Sequence, residues 1–218
     1  MFVGHYGPAL AGKSIASAVP LWVFFLAVQL VDVLWGVFVA NGIEHVRIVP
    51  GFTDANALDL YDMPITHSLP GALGWSVLAG LVWMVLAPRQ KRVGALAIGL
   101  AVFSHWLLDL IVHVPDLELW PGGMRVGFGL WNNYPLALAV EAGVLLAGFV
   151  LYLRLTVAKG LVGRVWPWIF VGLLALAEYV NHTMPPSGDV ATAGYMASAT
   201  FILLTLLAVV CDVTRRAR

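Results

Sequence analysis

Six stretches of the chain are each long and apolar enough to cross a lipid bilayer as a helix. A spanning helix needs roughly 20 mostly apolar residues. Such stretches occur at about residues 20–40, 68–87, 94–113, 135–153, 165–181 and 191–211. Charged residues make up only 11% of the 218 residues, whereas a soluble domain carries about 25%. We therefore predict an all-α integral membrane protein, a bundle of about six transmembrane helices that forms one domain over residues 1–218.

The basic residues predict how the helices are oriented. Ten of the twelve Lys and Arg residues lie at one end of the predicted helices, and the other end holds only Arg47 and Arg125, together with seven acidic residues. Cytoplasmic loops carry an excess of Lys and Arg. The basic loops and the C-terminus are therefore predicted to be cytoplasmic. The net charge of zero argues against a nucleic-acid partner, which leaves the lipid bilayer as the predicted partner.

Several ionisable residues fall within these apolar stretches, where a charge costs on the order of 3 kcal/mol. They include Asp32 in the first stretch, His105 and Asp109 in the third, and Glu141 in the fourth, while His67 immediately precedes the second. In the predicted orientation all of them lie at the external end of the bundle. We therefore expect one site, or the rim of one cavity, that faces the external side.

The spacing of His105 and Asp109 suits a metal ion. Residues four apart share one face of a helix, so an imidazole and a carboxylate can bind one ion there, or the carboxylate can orient the imidazole. His113 extends the same face by another turn. The alternative is a buried hydrogen-bonded pair that only fixes helix packing. Because Cys211 is the single cysteine, a cysteine-based metal cluster is excluded.

The order of these residues resembles a bacterial family, the LexA-regulated inner-membrane proteins that are regarded as metal-dependent hydrolases. The resemblance covers roughly residues 4–142. It is carried by Gly4-His5, Asp32, Thr66-His67-Ser68, Ser104-His105 with Asp109, and Glu141. The ligand order is also similar to that of zinc-dependent phospholipase C and the P1-type nucleases, which cleave phosphodiesters with a zinc cluster.

The resemblance implies a divalent metal, with zinc as the expected ion, in a bacterial inner membrane. The implied metal ligands are His5, Asp32, His67, His105, Asp109 and Glu141. One departure concerns Asp32, which is followed by Val-Leu-Trp where the family has a second Asp and a His. Glu44 and His45 in the next loop are the candidates for these missing groups.

His5 reaches an external site only if the segment before the first span enters the membrane. A short extra helix from about Gly4 to Ala18, inserted with its N-terminal end outward, would extend about 22 Å at 1.5 Å per residue. It would therefore be a partial or tilted insertion. A purely cytoplasmic N-terminus is the alternative, and it would keep His5 away from the site.

The leading functional hypothesis is a membrane-embedded metal-dependent hydrolase. The resemblance implies a phospholipid or another amphiphilic phosphate ester as its substrate. The acid–base candidates are Glu141, Glu44 and His45, and the candidates for positioning the ligands are His113, Ser104 and Thr66.

Two other functions compete with the hydrolase. A small transporter would use the buried Asp, His and Glu groups as an ion or proton relay, and it would need polar residues towards both faces. The inner halves of the helices hold almost no ionisable groups, which favours the hydrolase. Haem ligation would require pairs of histidines that face one another across helices at matching depth.

Overall fold

The computed structural model describes residues 1–87, 89–184 and 188–218. The chain is 67% helical. Among these residues, five helices are long and apolar enough to cross a membrane, and a bent pair of shorter helices makes a sixth span when the pair is counted as one. The prediction of an all-α protein with about six membrane-spanning helices and a short N-terminal helix is confirmed.

The helices follow one another with short strands in the connections. The short helix α1 (Tyr6–Ala11) lies between 3-10 turns at Val3–His5 and Gly12–Ser14. The longer helices are α2 (Leu21–Val28), α3 (Leu30–Ala40), α4 (Leu69–Leu86), α5 (Lys91–Val112), α6 (Tyr134–Leu155), α7 (Leu161–Thr183) and α8 (Val190–Thr214). The predicted bounds of the spans differ from these by only a few residues.

Three two-stranded antiparallel sheets cover the ends of the bundle. In chain order the strands are β1 (His45–Ile48), β2 (Leu58–Asp62), β3 (Leu117–Glu118), β4 (Arg125–Val126), β5 (Thr156–Ala158) and β6 (Arg215–Ala217). The pairs are β1 with β2, β3 with β4, and β5 with β6. The first two sheets lie in the loops that follow α3 and α5, and the third joins the connection after α6 to the segment after α8.

The first span is broken at Gln29, between α2 and α3. Gln29 has φ −108° and ψ 7°, and the two helix axes differ by 49°. No proline or glycine lies within α2 or at the break. A side chain that takes a backbone acceptor away from the helix also causes such bends. Here the carbonyl of Val28 accepts a hydrogen bond of 2.6 Å from His105 Nδ1 on α5.

Two pairs of glycines let helices approach backbone to backbone. A Cβ atom on Gly148 of α6 would lie 2.1 Å from the carbonyl oxygen of Gly7 in α1, and one on Gly194 of α8 would lie 2.3 Å from that of Gly36 in α3. Small residues at helix contacts are typical of membrane bundles. The first contact places the N-terminal helix against α6, so the segment that carries His5 lies inside the bundle.

The centre of the bundle is an apolar core. Phe24, Phe25 and Val28 of the first span and Leu174 of α7 are fully buried in it, together with Phe170. Many apolar side chains on the outer faces of α4 to α8 are exposed. A helix with an apolar outer surface is stable in contact with lipid, since hydrocarbon replaces water as its solvent.

Candidate metal centre

Four histidines and two aspartates converge at one end of the bundle. His5 comes from the first 3-10 turn, Asp32 from α3, and His67 from the segment just before α4, while α5 and its C-cap supply His105, Asp109 and His113. Four separate segments of the chain would therefore have to move apart to separate these side chains. The convergence of Asp32, His67, His105 and Asp109, on which the functional hypothesis depends, is present in the structure.

Asp109 lies at the centre of this cluster. Its Oδ1 atom is 3.2 Å from His5 Nε2 and 3.5 Å from His113 Nε2. Its Oδ2 atom is 3.0 Å from His105 Nε2 and 3.8 Å from His67 Nε2. One carboxylate is thus shared by four imidazole rings.

Asp32 faces two of the same rings from the other side. Its Oδ1 atom is 3.3 Å from His67 Nε2 and 3.4 Å from His105 Nε2. The ligand atoms form two groups, each with three ligand atoms within 4.8 Å of one another. The groups are His5, His105 and Asp109, and Asp32, His67 and His105. Either group could hold a metal ion, and His105 belongs to both.

The ring nitrogen of His105 that faces away from the carboxylates, Nδ1, is hydrogen-bonded to the backbone. His105 Nδ1 lies 2.6 Å from the carbonyl oxygen of Val28, and a carbonyl can only accept a hydrogen bond. We therefore assign the proton to Nδ1. In a neutral ring, Nε2 then carries a lone pair that is directed at the two carboxylates.

His67 is held in the same way by a chain of side chains. Glu44 Oε2 accepts the hydroxyl hydrogen of Thr66 at 2.6 Å, so the Thr66 oxygen accepts from His67 Nδ1 at 2.7 Å. Glu44 also accepts the backbone N–H groups of Ile65 and Thr66. These three hydrogen bonds fix Glu44, and through Thr66 they direct His67 Nε2 toward Asp32.

His113 completes the pattern. Its Nδ1 atom lies 2.8 Å from Asp116 Oδ1, while its Nε2 faces Asp109. The carboxylates of Asp109 and Asp116 therefore face the two nitrogens of one ring.

The arrangement fits a bound cation. Lone pairs of imidazole nitrogens and carboxylate oxygens repel one another when nothing positive lies between them, and either a proton or a metal ion removes that repulsion. Metal-binding histidines nearly always donate their other N–H group to a carbonyl, carboxylate or similar acceptor. Three of the four rings here do so.

Glu141 supports the segment that carries His5. Its Oε2 atom accepts the backbone N–H groups of Phe2 at 2.8 Å and Gly4 at 3.1 Å. The carboxylate therefore holds the first 3-10 turn against α6. The question of whether His5 can reach the site is answered by its 3.2 Å approach to Asp109.

Two of the predicted residues point away from the cluster. The hydroxyl of Ser104 donates to the carbonyl of Ala101 within its own helix. His45 lies in the β1–β2 hairpin with 48% of its side chain exposed, and its Nδ1 atom is 2.6 Å from Asp62 Oδ2. The structure therefore brings Thr66, His113, Glu44 and Glu141 to the surroundings of the cluster, but not Ser104 or His45.

The cluster is buried except at one carboxylate. Asp32 is 16% exposed, whereas the other five side chains are at most 4% exposed. Trp131 packs on the ring of His113 with centroids 4.0 Å apart, and Trp35 lies edge-on to His67. Asp32 is therefore the member of the cluster that is most accessible from outside the protein. Sequence reasoning missed Trp131 and the Val28 carbonyl, because neither stands out by residue type.

Haem binding does not fit this geometry. The rings of His5 and His105 are stacked with centroids 3.7 Å apart and an interplanar angle of 6°. Two rings in direct contact leave no space for a porphyrin between them. The stacked pair His5 and His105 could therefore not act as the two axial ligands of one haem.

Comparison of the chain with protein-family models, curated proteins and solved structures finds no match.

Proposed function

We propose that this chain is a membrane-embedded metal-dependent hydrolase that acts on a phosphate ester such as a phospholipid. The observation that carries the proposal is the orientation of three imidazole rings. Each donates its Nδ1–H group to an outer acceptor and turns Nε2 toward a shared carboxylate. The resemblance of the sequence to the LexA-regulated membrane family supports the same reaction class.

Zinc suits the ligand set best. Catalytic zinc sites commonly use three protein ligands from His and carboxylate side chains and keep a fourth position open. The two groups at this end of the bundle have that composition, two histidines with one aspartate each. A bound zinc ion would polarise the scissile group and lower the pKa of a water molecule toward neutrality.

The side chains around the ligands have separate tasks in this proposal. Glu44 and Thr66 hold the ring of His67, and Glu141 holds the turn that carries His5. His113 bridges Asp109 and Asp116, so it can carry a proton between the cluster and the loop after α5. Asp32, as the exposed carboxylate, lies where the substrate would arrive.

We propose that the site faces the external side of a bacterial inner membrane. The end of the bundle that holds the cluster carries two of the twelve basic residues, and the opposite end carries the other ten. The excess of basic residues in cytoplasmic loops supports this orientation. A phospholipid of the external leaflet is then the nearest phosphate ester, and this substrate class is proposed by analogy.

Metal analysis of the detergent-purified protein tests the proposal. The native chain, purified without chelators, should retain zinc at a fixed ratio to protein, and His105→Ala and Asp109→Ala should lose it. His45→Ala is the matched control, because it removes an imidazole from outside the cluster. Hydrolysis of bis(p-nitrophenyl) phosphate should follow the zinc content across these variants. A metal-free native protein, or equal zinc loss in the His45 variant, would refute the metal site.

An ion transporter is the second candidate, and the broken first span favours it. Discontinuous helices often surround ion sites in transporters, and the side-chain amide of Gln29 at the break is buried without a hydrogen-bond partner among the described residues. Beyond the break, however, the core consists of apolar side chains such as Phe25, Phe170 and Leu174. Proteoliposomes loaded with a zinc-sensitive dye distinguish the two functions. Zinc entry that exceeds that of empty liposomes and is lost in His105→Ala would favour the transporter.

A further inference from the structure

A second polar site lies at the opposite end of the bundle from the metal centre. A cavity of about 240 Å³ opens there, beside the end of α6, the end of α8 and the start of α2. Helix α6 connects the two ends. Glu141 supports the turn of His5, and Tyr152 lines the cavity about three turns later, roughly 16 Å along the helix axis. The two sites are therefore separate.

The lining of this cavity is cationic. Lys13, Arg215 and Arg216 all line it, and Asp212 is its one acidic residue. The Asp212 carboxylate accepts hydrogen bonds from the backbone N–H groups of the first two residues of α2, at 2.8 and 3.1 Å. Its negative charge therefore already interacts with the N-terminal end of that helix. Within residues 1–87, 89–184 and 188–218, none of the three cations forms an ion pair with a carboxylate.

Some hydrogen-bond donors that line the cavity have no acceptor among the described residues of the protein. Arg215 is 8% exposed, and three of its five N–H groups donate to the hydroxyl and carbonyl of Thr156 and to the carbonyl of Gly163. One N–H group remains on each terminal nitrogen. The Lys13 ammonium donates to two backbone carbonyls of the loop before α2, at 2.8 and 2.7 Å, which leaves its third N–H group.

Arg215 is held firmly in this position. Besides its three hydrogen bonds, the guanidinium lies over the ring of Tyr152 at 5.5 Å from the ring centroid. Its backbone pairs with Ala158 in the β5–β6 sheet. A guanidinium that is buried, fixed and only partly hydrogen-bonded is suited to a multivalent oxyanion, because its planar array of donors matches phosphate geometry.

We infer that this cavity binds a phosphate group, either that of an anionic lipid headgroup or free phosphate. The cavity lies at the end of the bundle that carries ten of the twelve basic residues, where the spanning helices end and lipid headgroups begin. Basic pockets between transmembrane helices bind the headgroups of anionic lipids in this position. The inference uses none of the metal-centre residues and does not depend on the proposed hydrolase.

Calorimetric titration of the detergent-purified protein with two probes tests the inference. The probes are dihexanoylphosphatidylglycerol and inorganic phosphate. Lys13→Gln removes one charged donor and should weaken binding about tenfold. Arg92→Gln is the matched control, since Arg92 is exposed in the first turn of α5 and does not line the cavity. It should change the affinity by less than about twofold.

The outcomes separate the two sources of phosphate. Binding of the lipid alone, with sensitivity to Lys13→Gln, supports a headgroup site, and binding of both probes with the same sensitivity supports a site for phosphate itself. A lipid that bound only at the metal centre would be insensitive to Lys13→Gln, which would overturn the inference. Absence of binding, or an equal loss in Arg92→Gln, would overturn it as well.

Discussion

Replacing Thr66 by valine should weaken zinc binding without touching any ligand. Valine has nearly the shape of threonine but cannot accept the His67 Nδ1–H group or donate to Glu44 Oε2, two contacts of 2.7 and 2.6 Å in the native protein. Loss of such an outer partner typically costs 10–100-fold in metal affinity. This corresponds to about 1.4–2.8 kcal/mol. Glu44 would keep its two backbone donors, so its position should change little.

The same substitution should also lower the stability of the metal-free protein. One oxygen of a fully buried carboxylate would lose its donor, and such a loss costs about 1–3 kcal/mol. The ring of His67 would be free to rotate away from Asp32. The effect on zinc affinity and the effect on stability therefore have a common cause, the missing hydroxyl.

Competition against a chromophoric chelator in detergent measures the zinc affinity, and thermal unfolding of the chelator-treated protein measures the stability. Thr66→Ser is the control, because it retains the hydroxyl and should remain within about threefold of the native affinity. If Thr66→Val bound zinc as tightly as the native chain, the orientation of His67 would not matter for metal binding. If serine were as weak as valine, the hydroxyl would not be the cause.

Three further predictions concern the support of the site and the bundle. Glu141→Gln keeps an oxygen that can accept the backbone N–H hydrogen bonds of the N-terminal turn. The zinc content of this variant should therefore equal that of the native chain. A lower zinc content in metal analysis would instead make Glu141 a ligand. Gly194→Ala places a Cβ atom 2.3 Å from a backbone oxygen of α3 and should lower the free energy of unfolding in detergent by about 1–3 kcal/mol. Gly143→Ala is the control, because its Cβ atom meets nothing within 4 Å and should leave the stability unchanged. Hydrogen bonding to Thr192 lowers the pKa of Asp189 below 3.8, so the stabilisation by this N-cap is present at neutral pH and is lost as the pH falls through the lowered pKa. The difference between the melting temperatures of Asp189→Ala and the native chain should therefore be full at pH 7 and begin to shrink only below pH 3.8, as the pH falls towards the lowered pKa.

The helices could be predicted from the sequence because a bilayer imposes a length and an apolar composition on every span. The break at Gln29 could not be predicted from the sequence, because α2 contains no proline or glycine and the break coincides with a hydrogen bond from His105 on α5. A bend that depends on a residue 77 positions away leaves no local pattern in the chain.

The core of the site was also predictable, since ionisable residues in apolar helices need partners. The roles of the loop residues Glu44 and His45 were not predictable from the sequence. Glu44 and His45 are adjacent in sequence, yet Glu44 is fully buried beneath Thr66 and His45 is half exposed in the hairpin. Strand direction alternates side chains between two faces, so the path of the loop decides which neighbour turns inward. Composition and spacing carry no information on that path.

The sharing of His105 between the two ligand groups limits how many ions the protein can hold firmly. Its Nδ1 atom is occupied by the carbonyl of Val28, so Nε2 offers a single electron pair, and one pair coordinates one ion. A second ion would have to bind to the two remaining ligands of the other group, which are either His5 with Asp109 or Asp32 with His67. Loading should accordingly proceed as one tight equivalent per chain, followed at most by a much weaker one.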